Sequence, residues 1–272
     1  MDAQDRLRHV SSRQHPLIKE LRAAFAHSEL TPDGHCAIEG VRMLEEALRA
    51  GLRMRAIVFS ETALKAGDRA AKLLPQIGGH TEILAVPQDV FAGAVATETP
   101  QGVAALVKWK ESSLDDMLRT EKPLLVVAAG LQDPGNLGTI FRSAEAFGAA
   151  GLLLAEKTVR PYNAKAVRAS AGSVFRLPMA TIDLAKTISA LRERGIRLVA
   201  TSSHKGTPLD QADFRAGTAV FIGNEGAGLP KQTLSEMDAT IMIPHSERVE
   251  SLNAGIAASI VLYEAARQRR KT

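Results

Sequence analysis

The sequence predicts an α/β protein built on a parallel sheet and preceded by a smaller α/β layer. Three observations carry this. Five short apolar runs, PLLVVAAG, GLLLAE, RLVATS, TAVFIG and ATIMIP, succeed one another after residue 122, separated by helical or loop stretches. Runs apolar on both faces are what a helix-covered parallel sheet requires. The polar stretch KESSLDDMLRTEKP lies between two strongly apolar strands and reads as a linker. Finally, DPGN, TSSHKG, GNEGAGLP and PHSERVESLN follow the first, third, fourth and fifth runs. They therefore fall beyond the carboxyl ends of strands, where open α/β sheets bind ligands.

The first hundred residues alternate helix and strand patterns. HPLIKELRAAFA reads as a helix, HCAIEG as a strand, VRMLEEALRAG as a helix closed by Gly51, and MRAIVFS as a strand. A helix then precedes the strand TEILAV, and another near PQDVFAGAVA leads to GVAALVKW. The expected organisation is a domain over 1–109, a linker over 110–122 and a second domain over 123–272.

With 272 residues, 45% of them apolar, the chain can bury a substantial core. No run approaches the roughly 20 apolar residues that span a bilayer, and the N-terminus lacks a signal-peptide pattern, so a cytoplasmic setting without membrane attachment is expected. The single cysteine, Cys36, can form neither an internal disulfide nor a thiolate metal site and reads as a packed thiol. No His, Cys or carboxylate cluster has ligand spacing, so no metal is expected. Formal net charge is +4. Lys157, Arg160, Lys165, Arg168 and Arg176 occur in one acid-free run, and the chain ends ARQRRKT. A solvated basic face explains such charges, and so does a polyanion that releases counterions on binding.

The segment LQDPGNLGTIFRSAEAFG opens like a nucleotide loop yet has neither G-x-G-x-x-G nor a following Gly-Lys-Ser/Thr. Asn136 is the expected N-cap. Leu137, Ile140, Phe141, Ala144 and Phe147 form one apolar stripe, which leaves Thr139 and Arg142 on the opposite side. The plain alternative for Arg142 is a surface arginine paired with Glu145 or water. In GNEGAGLP, three glycines let backbone approach a ligand, and Asn224 and Glu225 between them favour a site over a plain turn. From 252 to 262 apolar or small residues surround the helix, which is therefore expected to be buried on most sides. Ser251, a reasonable N-cap, and Asn253 stand at its mouth.

The ordered series D-P-G-N-x-G-x-x-x-R-S-A-x-x-F-G, I-G-N-E-G-x-G-L and I-P…E-S-L-N…A-x-x-I-x-L-Y-E resembles the three signature motifs of the SpoU (TrmH-type) RNA ribose methyltransferases, of the SPOUT class. RASAGSVFRLP, IEGVRMLEEALRAG and ETPQGVAALV extend the resemblance over nearly the whole chain. It implies an N-terminal RNA-binding domain like ribosomal protein L30e and a C-terminal parallel-sheet domain with a trefoil knot. It also implies S-adenosylmethionine as cofactor, contacted mainly by the backbone of Gly223, Ile243 and Leu252, with Thr201 bordering the adenine. Asn136, Arg142, Glu225, Ser251 and Asn253 would surround the methyl group and the ribose 2′-hydroxyl. His245 and Glu247 stand where the family often has Met and a nearby Gly, which affects the shape of that loop; His245 reads as a wall rather than a base. Lys165 and Arg168 are the candidate RNA contacts in the basic run. The implied partners are RNA, with rRNA favoured over tRNA, and a second copy of the chain joined through the C-terminal domain. Two rivals remain: a silent RNA-binding protein, which would have lost the polar residues at the strand ends, and a dinucleotide-dependent oxidoreductase, which would need the absent glycine fingerprint.

Overall fold

A computed structural model describes residues 4–65 and 69–270, and Lys271 of the basic tail lies outside them. The chain divides into two compact units, Met1–Lys110 with Tyr162–Phe175, and Glu111–Pro161 with Arg176–Thr272.

The first unit holds β1 (Leu7–His9), α1 (Pro16–His27), β2 (His35–Glu39), α2 (Val41–Arg49), β3 (Met54–Ser60), β4 (Glu82–Val86), α3 (Gln88–Ala92) and β5 (Val103–Lys108). Pro16 starts α1, and Leu17, Ile18, Leu21, Ala24 and Phe25 supply its buried stripe. The sheet runs β1-β4-β3-β5-β2, with β1, β4 and β3 parallel and β5 antiparallel to both β3 and β2. The helix expected before β4 is a short 3₁₀ segment, Ala71–Gln76, because Pro75 removes a donor there.

The second unit holds α4 (Leu114–Met117), β6 (Leu124–Ala128), α5 (Pro134–Ala146) and β7 (Gly151–Ala155). After α6 (Ala164–Ala169), which belongs to the first unit, come β8 (Met179–Ile182), α7 (Leu184–Glu193), β9 (Arg197–Ser202), β10 (Thr207–Pro208), β11 (Thr218–Ile222), α8 (Lys231–Ser235), β12 (Ala239–Met242) and α9 (Ala254–Arg269). The sheet is parallel throughout, in the order β10-β12-β9-β11-β6-β7-β8. The chain enters at β6, builds β7 and β8 to one side, then crosses over and inserts β11 between β9 and β6. Leu125, Val127, Leu153, Leu198 and Phe221 join one core cluster, and the strand residues of opposite parity, Val126, Leu152 and Val220, are buried too. Both faces are therefore covered. The five expected apolar runs are β6, β7, β9, β11 and β12; β8 and the two-residue β10 are added at the edges, where short and partly polar strands suffice.

Two expected boundaries differ. Residues 162–175, assigned by sequence to the second domain, belong to the first unit. There Ala166 and Val167 of α6 are buried, Tyr162 meets Trp109 edge-on at 5.4 Å, and Gly172 lies so close to α2 that a Cβ would come within 2.7 Å of the Glu46 side chain. The 110–122 stretch is not a free linker either. Ser113 and Asp116 form a reciprocal capping box at α4, and Met117, 1% exposed, joins the second core. Its charged residues hid one buried anchor.

Candidate active site

The loops after β6 and β11 are stitched together by side chains. Pro134 takes the first helical position of α5, and the carboxylate of Asp133 caps it by accepting from Asn136 N at 2.8 Å. The cap is therefore Asp133 and not the expected Asn136; with Pro134 at the first helical position, the cap falls on the residue immediately before the proline. Asn136, 8% exposed, is freed to donate from Nδ2 to Glu225 Oε1 at 3.0 Å. Glu225 also accepts from the backbone N–H groups of Gln132 and Asp133, each at 3.3 Å. Asn224 Nδ2 donates to Gly130 O at 2.9 Å, while its Oδ1 accepts from Gly226 N and Ala227 N, both at 3.0 Å. Burial pushes the Glu225 carboxyl up, but the hydrogen bonds from Asn136 and from backbone N–H groups outweigh it and hold the pKa below its ordinary value. Glu225 is thus a carboxylate at neutral pH, an acceptor with no proton to give.

Beside this clamp lies a cavity of about 690 Å³ at the carboxyl ends of β9, β11 and β12, within the range of roughly 300–1,000 Å³ of small-ligand sites. Thr201, Gly223, Glu225, Ile243, Ser251 and Leu252 line it. Leu229, Ala257 and Val261 add apolar wall. Thr201 donates its hydroxyl to Phe221 O at 3.0 Å, so it presents its methyl and backbone rather than a free donor. Gly223 is required sterically: a Cβ there would lie 2.4 Å from Gly228 C and 2.5 Å from Leu229 N. This is a cradle of backbone groups with apolar walls, suited to a nucleoside-like cofactor read through its polar edge.

His204, Lys205 and His245 also line the cavity. The two histidine rings stand 5.7 Å apart, and His245 Nδ1 lies 2.7 Å from Ile243 O, so neutral His245 keeps its proton on Nδ1. His204 and Lys205 were missed as site residues. The only signal was TSSHKG at a strand's carboxyl end, and nothing in the residue types separates a lining loop from a connecting one.

At the start of α9, Asn253 is the N-cap, accepting from Ile256 N at 3.2 Å; Ser251 is exposed and does not cap. The extended backbone of Asn253 (ψ 135°) makes it the last residue outside the helix. Helices α5 and α9 pack closely, with Ser143 Oγ and Ser259 Oγ at 2.6 Å and a Cβ on Gly255 only 3.1 Å from Thr139 Cβ. Thr139, expected on the outward side, thus faces α9, and small residues four apart on both helices are the sequence signal for that contact. Arg142 is exposed, and among the described residues its guanidinium has no hydrogen-bond or ion-pair partner. Glu145, its expected plain partner, is engaged by Arg176 Nε at 2.6 Å. Lys165 and Arg168 lie on α6 in the first unit, both exposed. Among the described residues no group of three or more His, Cys, Asp or Glu is placed to hold a metal ion, and no helix is long and apolar enough to cross a membrane.

The family model of the SpoU rRNA methylases matches residues 123–263, more than half the chain. The chain belongs to the SpoU rRNA methylase family. A second model, the MRM3-like substrate binding domain, matches 15–105. The SpoU fold, a parallel α/β sheet with a trefoil knot, is that of the second unit. Among relatives, the 23S rRNA (guanosine(2553)-2′-O)-methyltransferase RlmP of Bacillus subtilis is 29% identical over 94% of this chain and 98% of its own length. The SpoU methyltransferase AviRb of Streptomyces viridochromogenes, solved in complex with AdoMet, is 31% identical with a TM-score of 0.82 over 94% of this chain and 99% of its own. The A. aeolicus TrmH/SpoU tRNA modifying enzyme covers only 58% of this chain and 80% of its own, at 27% identity and a TM-score of 0.51.

Proposed function

We propose that the chain is an S-adenosylmethionine-dependent RNA methyltransferase that methylates a ribose 2′-hydroxyl in rRNA. The observation that carries this is the Asn136–Glu225 clamp against a backbone-lined cavity of nucleoside size. When bound, the cofactor's sulfonium supplies an electrophilic methyl group. The protein's part is alignment and charge. Gly223, Ile243 and Leu252 would offer backbone groups to the cofactor, and Thr201 would lie on the side of its base. Glu225, fully committed as an acceptor, fixes the loop after β6 against the loop after β11. Ser251 lines the cavity just before α9, and Asn253 caps that helix two residues on. Arg142 supplies a planar guanidinium with a fork of N–H donors. Its free guanidinium suits it to clamp a phosphate and to stabilise negative charge developing on the 2′-oxygen.

A whole-length relative is named for 23S rRNA, whereas the A. aeolicus tRNA modifying enzyme covers only 58% of this chain. That favours rRNA, with the first unit and its Lys165 and Arg168 contacting it, in a cytoplasmic setting. Pairing of two copies through α9 accompanies this reading. Ile256, Ile260 and Tyr263, at helical spacing, are 53%, 36% and 50% exposed, although the helix was expected to be covered on most sides. Within one copy, cover reaches only the side carrying Ala258, Val261, Leu262 and Ala265. Mapping 2′-O-methyl positions in total RNA with and without the gene tests the activity. Loss of one rRNA site is expected, and an unchanged map would sink the reading.

A further inference from the structure

The first unit contains a second cavity, of about 310 Å³, lined by Glu39, Gly40, Arg42, Met43, Gln101 and Arg168 among others. Its chemistry is unusual for a structural recess. Glu39, at the end of β2, is only 6% exposed. Thr97 donates its hydroxyl to Glu39 Oε1, but Oε2 has no hydrogen-bond partner among the described residues. An unpaired oxygen on a buried carboxylate is costly, and a cation on it would be the ordinary remedy. Two arginines line the same cavity, yet both are exposed, and neither has a hydrogen-bond or ion-pair partner among the described residues. The carboxylate thus keeps an open acceptor while the cations remain free for an anion.

The remaining walls suit a flat, partly apolar ligand. Met43 is 5% exposed and presents a polarizable apolar surface. Gly40 has φ 100°, and a Cβ there would come within 2.9 Å of Gln101 Oε1, so the glycine makes room for that amide. A ligand that satisfies these groups has N–H donors for Glu39, a face to pack on Met43 and a phosphate for the arginines. Unpaired bases meet the first two conditions, and proteins commonly read single-stranded RNA on such edges. Among bases, guanine alone carries two adjacent N–H groups on one edge, matching the two oxygens of a carboxylate. Oε1 retains a lone pair after accepting from Thr97.

We propose that this cavity binds an unpaired guanine nucleotide of the RNA substrate, with its N–H edge on Glu39 and its phosphate held by Arg42 and Arg168. The proposal rests on the RNA-methylating role inferred above and adds a place where the first unit reads sequence.

The test is equilibrium dialysis of the full chain against GMP, AMP, CMP and UMP, with S-adenosylhomocysteine saturating the other cavity. GMP should bind about tenfold more tightly than the other three. Glu39→Gln can keep the Thr97 contact but puts an N–H₂ group where Oε2 was, so the preference for guanine should vanish. Arg168→Ala, an exposed change that leaves the core intact, should weaken all four nucleotides alike and lower the salt dependence of RNA binding by about one counterion. Equal binding of the four nucleotides, no binding at all, or guanine preference surviving in Glu39→Gln overturns the proposal. Calorimetry with S-adenosylmethionine on protein free of S-adenosylhomocysteine reports separately: its failure counts against the methyltransferase reading and leaves the nucleotide result to stand alone.

Discussion

Asn136 Nδ2 donates to Glu225 Oε1 at 3.0 Å across 89 residues of sequence, joining the first turn of α5 to the glycine loop after β11. Both groups are polar, and each satisfies the other at the edge of the cavity. Removing either partner leaves the second without its match, so the pair is the natural place to probe the site.

Glu225→Gln can still accept from Asn136 but would turn an N–H₂ group toward the Gln132 N–H. Because the carboxylate is exposed, the loss should be only about 1 kcal/mol. The folded-state pKa lies below the ordinary value of 4.5. The carboxylate's stabilisation is therefore present above that value and is lost as pH falls through the depressed one. Urea unfolding at pH 7 and near pH 3 should show a gap between wild type and variant that closes at the lower pH. A gap that widens on acidification would contradict the assignment.

Gly223→Ala should cripple cofactor binding while the sheet survives. Its Cβ would meet Gly228 C at 2.4 Å and Leu229 N at 2.5 Å, both rigid backbone atoms. The loop must move by an ångström or so, and displaced contacts of that kind cost about a hundredfold. Calorimetry with S-adenosylmethionine checks it; affinity within twofold of wild type would mean the loop does not shape the site.

Arg142→Ala should leave folding and cofactor affinity unchanged, because the side chain is exposed and partnerless among the described residues. Methyl transfer should fall by about 10² to 10³ if the guanidinium stabilises developing charge. Arg142→Lys keeps a cation without the planar fork and should fall between the two. Single-turnover rates across pH decide the mechanism. A lysine variant whose rate tracks the titration of an amine would make this position a base instead of a charge clamp.

Asn253→Ala should cost about 1 kcal/mol by removing the cap on Ile256 N, whereas Asn253→Asp should retain most of it. Equal destabilisation by both substitutions would assign the cost to something other than the cap. Thermal unfolding distinguishes these outcomes.

Ile260→Glu places a charge on the open face of α9 beside Ile256 and Tyr263. Light scattering should find two copies in the wild-type particle and one in the variant. A wild-type monomer at micromolar concentration would leave that face without the proposed partner.

By itself the sequence determined the parallel sheet and the position of the loops around it. Runs such as LLVVA and TAVFI are apolar on both faces, and only a helix-covered strand needs that. The motif order named the family, and the apolar stripe of Leu137, Ile140, Phe141 and Ala144 showed which side of α5 is buried. Tertiary structure alone decided the rest. It brought Glu225 to Asn136 and turned Thr139 toward Gly255 of α9. It also carried residues 162–175 back to the first unit and set Arg168 in a cavity with Glu39. Each of these depends on a partner tens of residues away, and periodicity reports which face of an element is buried but never against what.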